Sequence, residues 1–274
     1  MKNTFAAASF TGIAVASSPL KNTFVNWMSS NNKHYTSTNE LNQRAGLFAQ
    51  AVGEVNALNA KSAASGKTNS ARFETNFLAD LTDAEKNSLL GLNIKDPAKR
   101  TKLYNGRLYG NKGRKLVADA TTIDHVADGF MYPVKDQGGC GSCYAFAANT
   151  ALEGYIARKN NSTPVRLSEQ HLVDCTLRKN SYNYSLFGED YGLWGCGGGW
   201  MATCWYFQHK NGVMKDSDYS YTSGSTGTET KCAHDSNKTI GKVIDWGQIS
   251  QTDGIQGTKD KLATHPLTIA IDAG

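Results

Sequence analysis

The amino-terminal half of this sequence has no cysteine, and the whole chain of 274 residues has no apolar run long enough to cross a bilayer. Because a membrane-spanning helix needs about 20 consecutive apolar residues, the sequence predicts no membrane partner. No long run carries one charge either, since 29 basic and 24 acidic residues are interspersed. A nucleic-acid-binding surface usually appears as a cluster of basic residues, so the sequence predicts no nucleic-acid partner.

Cysteines are confined to the second half of the chain. They stand at Cys140, Cys143, Cys175, Cys196, Cys204 and Cys232. This asymmetry predicts two regions stabilised in different ways, the later one by disulfides in an oxidising compartment. Sequons for N-glycosylation, which are compatible with secretion, begin at Asn160, Asn161, Asn183 and Asn237.

The first 18 residues resemble a secretory signal peptide. Lys2 supplies a positive start, residues 5–15 form a mildly apolar run, and small residues follow where a peptidase would cut. We therefore expect residues 1–18 to be a signal peptide and the protein to be secreted or delivered to a lysosomal or vacuolar compartment.

The stretch from Gln137 to Phe146, QGGCGSCYAF, places two cysteines just before a helical apolar pattern. Its glycines allow backbone conformations that other residues resist, and Ser142 is a good N-cap. Cys143 is therefore predicted in the first turn of a helix. There the unpaired backbone N–H groups and the helix dipole favour a thiolate, which is the nucleophilic form of cysteine.

The pair Cys140-Gly-Ser-Cys143 is also a CxxC sequence, which raises two alternatives. A dithiol redox site expects a βαβ context, and a zinc site expects a second CxxC or paired histidines. The remaining cysteines provide no such pair, so the sequence predicts neither a metal nor an organic cofactor.

Residues before the linker at 95–120 contain helical patterns. Phe24, Val25, Trp27 and Met28 can form one side of a short helix. Ser37 and Glu40 have the spacing of a capping box, and the segment from Glu40 to Lys61 is rich in helix formers. Glu40 and Arg44 can pair at i, i+4, and Thr82 or Asp83 can cap a further helix.

Two motifs in this region resemble the propeptides of cathepsin L-like cysteine proteases. The helix signature is carried, at the family's spacing, by Glu40, Arg44, Phe48, Ala51, Val55 and Asn59. Ala51 and Val55 replace the usual Asn and Ile. The second motif is carried by Asn76, Leu78 and Asp80, with Leu78 where Phe is usual. The resemblance implies an inhibitory propeptide at residues 19–115 that runs through the active-site cleft.

The run VKDQGGCGSCYAF resembles the active-site signature of papain-like cysteine proteases. The resemblance implies that Cys143 is the nucleophile and that the side-chain amide of Gln137 stabilises the oxyanion with the Cys143 backbone N–H. It also implies the disulfides Cys140–Cys196 and Cys175–Cys232. Cys204 is then left over in the apolar stretch 201–207, where we expect a buried, inert thiol.

The segment WGCGGGW resembles the glycine-rich turn of the same family. The resemblance implies that Gly198 and Gly199 hold the substrate backbone, and that Trp200 and Met201 line an apolar pocket. Farther upstream, RLSEQHLVDC resembles the family's second helix, with Ser168 as its N-cap. The insertion at 176–195 has no functional interpretation.

The histidine and asparagine of papain-like catalysis normally follow the nucleophile by about 130–150 residues. This sequence stops at Gly274, and its last residues, HPLTIAIDAG, resemble the strand that enters the second lobe. We therefore expect a C-terminally truncated precursor, with a partial peptidase domain at residues 116–274, that is inactive as written.

The predicted fold class is α+β. It is a papain-like two-lobe fold with the helical left lobe present, the β-rich right lobe mostly missing and a small helical propeptide domain in front. The predicted function is the zymogen of a monomeric cysteine endopeptidase acting on peptide or protein substrates. The alternatives are an inactive homologue that binds or inhibits proteases, and a disulfide-rich structural domain.

Overall fold

The structure is a computed structural model that describes residues 18–66, 70–91, 122–176, 195–249 and 254–271. The chain divides into two compact units, residues 1–87 and 88–274. The expected signal peptide up to residue 17, the linker at 95–120 and residues 177–194 of the insertion lie outside the described residues. Among the helices that are described, none is both long and apolar enough to cross a membrane.

The first unit contains α1 (Ser18–Ser30) and α2 (Thr38–Ala64), and α3 (Asp83–Leu89) begins in it. Ser37 caps α2 as predicted, because its hydroxyl accepts a hydrogen bond from the Glu40 N–H at 3.2 Å. The Glu40 carboxylate reaches one residue further back than a capping box requires, to the Thr36 N–H at 3.0 Å. The start of the long helix is therefore fixed by two local hydrogen bonds.

The core of the first unit is built from aromatic residues of α1 and α2. Phe24 and Phe48 are fully buried, and the Trp27 ring lies 4.9 Å from the Phe48 ring. Trp27 also donates its indole N–H to the carbonyl of Asn76 at 3.1 Å, which ties the segment before α3 to the core. Phe48 thus occupies the central packing position of this unit.

The predicted pairing of Glu40 with Arg44 is replaced by a longer-range ion pair. Arg44 donates two hydrogen bonds to the Glu85 carboxylate, at 2.6 and 2.7 Å, and a third to the Asp80 carbonyl. The hydrogen bonds from Arg44 lower the pKa of Glu85 to about 2. Glu85 and Thr82 also cap α3 reciprocally, as predicted for Thr82.

The remaining polar residues of the two propeptide-like motifs are also bound within this unit. The Asn59 amide exchanges two hydrogen bonds of 2.8 Å with the backbone of Phe73. Asp80, which is 2% exposed, accepts from Lys33 at 2.9 Å and from Tyr35 at 2.8 Å. Asn59 and Asp80 therefore stand at positions where their side chains make hydrogen bonds to residues distant in the sequence.

The second unit contains α4 (Cys143–Asn160), α5 (Glu169–Cys175), α6 (Met201–Asn211), α7 (Ser223–Thr226) and α8 (Gly254–Leu262). Short 3₁₀ helices cover Gly195–Gly197 and Ser236–Lys238. β-Structure in the described residues amounts to isolated bridges, such as Leu167 with Lys215 and Met214 with Thr239. The strand expected at 265–274 forms no bridge over residues 266–271, because a strand needs a partner for its ladder of hydrogen bonds.

Helices α4, α5 and α6 enclose the core of the second unit. Its members are mostly small or sulphur-containing residues together with Tyr144, Leu172, Trp200 and Phe207. Ser168 caps α5, as predicted, by accepting from the His171 N–H at 2.9 Å. Helix α5 is buried along its whole length and therefore acts as the central element of this unit.

A pair of histidines is stacked at the edge of this core. His171 lies on α5, is 1% exposed and meets His234 with 2.9 Å between its Nε2 and the Nδ1 of His234. Its ring makes a T-shaped contact with the Phe207 ring, with 5.0 Å between the ring centroids. Burial and the neighbouring His234 lower the pKa of His171 to about 3, and burial lowers the pKa of His234 as well.

We predict that His171 makes the fold sensitive to acid. The unfolded histidine binds a proton near pH 6.5, whereas the folded one stays neutral to about pH 3, so stability is lost as the pH falls through this window. The loss is about 1.4 kcal/mol per pH unit. His171→Gln should therefore show a smaller drop in urea midpoint between pH 7 and pH 5 than the unsubstituted chain.

The matched control is His34→Gln, because His34 is an exposed histidine of the first unit. This variant should keep the pH dependence of the unsubstituted chain. If His171→Gln lost as much stability on acidification as the unsubstituted chain, His171 would not be the source of the acid sensitivity.

Candidate active site

The candidate nucleophile, Cys143, is the first residue of α4, as the sequence predicts. It is a free cysteine that is partly exposed. Ser142 stands at the N-cap, but its hydroxyl makes no capping hydrogen bond and instead meets the Tyr221 hydroxyl at 2.7 Å. The first turn of α4 therefore has no side-chain cap from Ser142.

The loop before Cys143 is held by close backbone contacts. Gly138 has φ +58°, and a Cβ there would come within 2.5 Å of the Gly224 carbonyl oxygen. The next N–H, from Gly139, donates to that same oxygen at 2.7 Å. Of the three glycines around Cys140, only Gly138 has a positive φ, and it is the one whose conformation excludes a side chain.

A buried ion cluster anchors the beginning of this loop. Lys135 donates to Glu153 on α4 and to Glu169 on α5, each at 2.7 Å, and both carboxylates are at least 96% buried. Burial raises the pKa of each glutamate, opposed by the charge of Lys135. Lys135 therefore fixes the chain two residues before Gln137 against both helices.

The side-chain amide of Gln137 points into the same site. Its Nε2 donates to the Cys140 carbonyl at 2.8 Å and to the Leu89 carbonyl at 3.1 Å. Its own backbone carbonyl accepts from the Tyr221 hydroxyl at 2.8 Å. Hydrogen bonds thus hold both the side-chain amide and the backbone carbonyl of Gln137. One of the amide contacts is to Leu89, in a chain segment that lies across the site.

That segment, residues 88–91, passes directly over the candidate nucleophile. The Gly91 carbonyl accepts a hydrogen bond from the Gly199 N–H at 2.7 Å. A Cβ on Gly91 would collide with the Gly141 carbonyl oxygen and would lie 2.8 Å from the Cys143 sulphur. Sequence reasoning missed this segment, and the glycine that follows Leu89 and Leu90 was the signal available for it.

Residues 198–201 form the opposite side of the site. Gly198 lies so close to Gly91 that a Cβ on it would come within 2.6 Å of the Gly91 oxygen. Trp200 and Met201 are 8% and 7% exposed and belong to the core cluster of the second unit. The backbone of Gly198 and Gly199 is therefore what contacts residues 88–91, while little of the two larger side chains is exposed.

Two disulfides hold these segments together. Cys140 is bonded to Cys196, which joins the loop before the nucleophile to the glycine-rich turn. Cys175 at the end of α5 is bonded to Cys232. These are the pairs implied by the family resemblance. Cys204 is fully buried, as predicted, and burial raises the pKa of its thiol well above the ordinary value.

Each of the six imidazoles of the chain lies in the described residues and has a partner other than Cys143. The pairs are His34 with Asn32, His125 with the Leu262 carbonyl, His171 with His234, His209 with the Val243 carbonyl and His265 with the Pro266 carbonyl. In the described ranges no group of three or more histidine, cysteine or acidic side chains is arranged to hold a metal ion.

Two family models match this chain. Residues 120–274 match the family model described as papain family cysteine protease. Residues 24–85 match the model described as cathepsin propeptide inhibitor domain. Fold and site together thus define a thiol protease preceded by an inhibitory propeptide. The chain belongs to the papain family of cysteine proteases.

Relatives are similar over nearly the whole of this chain. Cysteine proteinase 1 of Entamoeba histolytica is 30% identical over 254 residues, which cover 91% of this chain and 69% of that protein. Cysteine proteinase 4 of Dictyostelium discoideum is 29% identical over 259 residues, which cover 92% of this chain and 51% of that protein.

A solved structure has the same fold. It is the digestive procathepsin L2 proteinase from Tenebrio molitor larval midgut, with a TM-score of 0.66 and 20% identity. The match covers 93% of this chain and 80% of that one. The papain-like proenzyme fold predicted from the sequence is therefore confirmed.

We predict that a side chain at position 91 displaces the segment from the thiol. In Gly91→Ala the new Cβ would overlap the Gly141 carbonyl and the Cys143 sulphur, and both are fixed by α4 and its loop. The segment 88–91 must move, so iodoacetamide should alkylate Cys143 faster than in the unsubstituted chain, as measured by peptide mass spectrometry.

Gly53→Ala provides the control, because a Cβ at Gly53 on α2 meets no atom within 4 Å. Its alkylation rate at Cys143 should equal that of the unsubstituted chain. Unchanged alkylation of Gly91→Ala would show that residues 88–91 do not limit access to the thiol.

Proposed function

We propose that this chain is the zymogen part of a cysteine endopeptidase that hydrolyses peptide bonds through an acyl-enzyme on Cys143. The thiolate attacks the peptide carbonyl, the C–S bond forms, and the C–N bond breaks as the leaving amine takes a proton. Water then hydrolyses the thioester and frees the thiol. The position of a free, partly exposed cysteine in the first turn of α4 supports this role.

Gln137 is proposed as the side-chain donor to the oxyanion. Its Nε2 already donates to a peptide carbonyl, that of Leu89, at 3.1 Å. The backbone N–H of Cys143 is the second donor, since a first-turn N–H has no partner within its own helix. Two fixed donors stabilise the charge that develops on the attacked oxygen without reorganising during the reaction.

Gly198 and Gly199 are proposed to bind the substrate backbone, and Trp200 and Met201 to contribute to a pocket for an apolar side chain. The hydrogen bond from the Gly199 N–H to the Gly91 carbonyl supports the first role, because an extended peptide presents the same acceptor. Because Trp200 and Met201 pack in the core cluster, their side chains are held in place, and the small exposed part of each would form a fixed pocket surface.

The propeptide is proposed to extend over residues 19–115 and to inhibit the site in the same chain, with the peptidase domain at residues 116–274. The observation that carries this proposal is the pair of hydrogen bonds to residues 88–91. Gln137 and Gly199, the proposed oxyanion and substrate-binding donors, are both engaged by carbonyls of that segment. A substrate peptide must displace Leu89 and Gly91 before it can reach Cys143.

We further propose that residues 1–274 alone have little peptidase activity. The thiol proton must pass to a base, and the imidazoles of this chain are all engaged elsewhere. This observation also favours the second candidate function, an inactive homologue that binds or inhibits proteases. We propose that the protein is a monomer and that residues 1–18 direct it to secretion or to a lysosomal or vacuolar compartment, which the two disulfides support.

The two candidates differ in their reaction with a peptidyl epoxide after acid activation of the precursor that carries this chain. An endopeptidase should be labelled at Cys143 and not at the buried Cys204. Gln137→Ala should lower peptide hydrolysis by about 10²–10³-fold in kcat, since one oxyanion donor is lost. The measurements are peptide mapping of the label and initial rates on peptide substrates.

Gln256→Ala is the control for the glutamine substitution, because Gln256 is exposed on α8. Its rate should match that of the unsubstituted precursor. If the activated precursor neither reacts with the epoxide at Cys143 nor cleaves peptides, the inactive-homologue proposal replaces the endopeptidase proposal.

A further inference from the structure

Three sequons in the described residues have no part in the proposed catalysis. Two of them overlap, beginning at Asn160 and Asn161 in the sequence Asn-Asn-Ser-Thr, and the third begins at Asn237. The fourth, at Asn183, lies outside the described residues. Whether an asparagine can carry a glycan in the folded protein depends on whether its side-chain amide is exposed and has no structural task.

Asn161 has an exposed side chain at the end of α4. It has φ 48°, the left-handed conformation that commonly ends a helix. The turn is closed by the backbone alone: the Asn161 N–H donates to the Arg158 carbonyl at 3.3 Å and the Ser162 N–H to the Ala157 carbonyl at 2.9 Å. Within the described residues the Asn161 amide makes no hydrogen bond, so a substituent on it breaks no contact.

Asn160 is also exposed, and its side chain makes no hydrogen bond in the described residues, so the choice between the two asparagines depends on the backbone. Asn160 is the last residue of α4, and helical side chains lean back over the preceding turn. Asn161 lies beyond the helix, and its left-handed backbone turns its side chain out of that row. Because two glycans on adjacent residues would overlap, the structure favours Asn161 of the two.

Asn237 is exposed in the 3₁₀ helix Ser236–Lys238. The local turn is held by other groups, since Asp235 accepts from the Asn237 N–H at 2.9 Å and Thr239 donates its hydroxyl to the Ser236 carbonyl at 2.9 Å. In the described part of the chain, the Asn237 side-chain amide has no hydrogen-bond partner. Its substitution leaves both turn-stabilising hydrogen bonds intact.

We propose that Asn161 and Asn237 are N-glycosylation sites. In each, the side-chain Nδ2 bonds to the anomeric carbon of an oligosaccharide as the bond from that carbon to a lipid diphosphate breaks. The lipid diphosphate leaves and the proton of the amide is released. This inference rests on the proposed entry into the secretory compartment, where this donor is found, and the disulfides Cys140–Cys196 and Cys175–Cys232 support that entry.

A glycan on Asn161 leaves the candidate active site open. Helix α4 has 18 residues, with Cys143 at its first position. At about 1.5 Å per residue the helix is about 27 Å long, so its far end is remote from the thiol. The first residue of α4 is therefore proposed to act in catalysis, and the residue after its last turn, Asn161, is proposed to carry a glycan.

The test is expression of the whole chain, behind a fused secretory leader, in eukaryotic cells, followed by peptide N-glycosidase and electrophoresis of total lysate. The fused leader makes the result independent of the proposed localisation and of peptidase activity. In an Asn183→Gln background we expect two glycans. Asn237→Gln should remove one. Asn161→Gln keeps the sequon of Asn160, so its loss of one glycan follows from the choice of Asn161 over Asn160, and the double substitution should then remove both.

The overlapping sequons supply a matched pair of variants. Ser162→Ala destroys the sequon of Asn160 and keeps that of Asn161, whereas Thr163→Ala does the reverse. We expect Ser162→Ala to keep two glycans and Thr163→Ala to keep one.

The opposite pattern in this pair would assign the glycan to Asn160 and overturn the choice of Asn161. Absence of any mobility change on glycosidase treatment, with the leader cleaved, would overturn the proposal at both positions. Conversion of the modified asparagine to aspartate by the glycosidase identifies each site by peptide mass spectrometry.

Discussion

The disulfide between Cys140 and Cys196 is the constraint on which the candidate site depends. It joins the two segments that carry every proposed polar donor, the Gln137 loop with the start of α4 and the turn with Gly198 and Gly199. The Gly141 N–H donates to the Cys196 carbonyl at 3.0 Å, so the covalent link is accompanied by a backbone contact. A bridge of this kind contributes about 2–4 kcal/mol, but here its larger effect is geometric, because it fixes the donors relative to the thiol.

The sequence predicted those parts of the molecule that depend on local chemistry. The start of α4 at Cys143 and the caps at Ser37, Thr82 and Ser168 follow from residue types within a few positions of each other. The fold followed from the resemblance of two motifs to one family. Cys204 was predicted as buried because it stands in an apolar stretch of α6.

Tertiary contacts decided what the sequence could not show. Arg44 has an acid four residues away in Glu40, yet it pairs with Glu85, where two parallel hydrogen bonds are available. Ser142 is at an N-cap but its hydroxyl bonds to Tyr221, 79 residues further along the chain. Residues 88–91 act mainly through backbone carbonyls, which every residue type has, so the segment left one signal in the sequence: Gly91, where a Cβ would collide with the Gly141 carbonyl.

Two sets of buried ionisable groups in the described part of the second unit respond to acid with opposite sign. His171 stays neutral in the folded chain, so the unfolded chain binds more protons and acid weakens the fold. Burial raises the pKa of Glu153 and Glu169, so the folded chain binds protons first, and their titration favours the fold as the pH falls. These glutamates hold the Gln137 loop through Lys135, whereas His171 holds the segment near Cys232 through His234. Protonation of His171 therefore lowers the free energy of unfolding as the pH falls. Protonation of Glu153 and Glu169, which hold the loop with the proposed oxyanion donor, does not lower it.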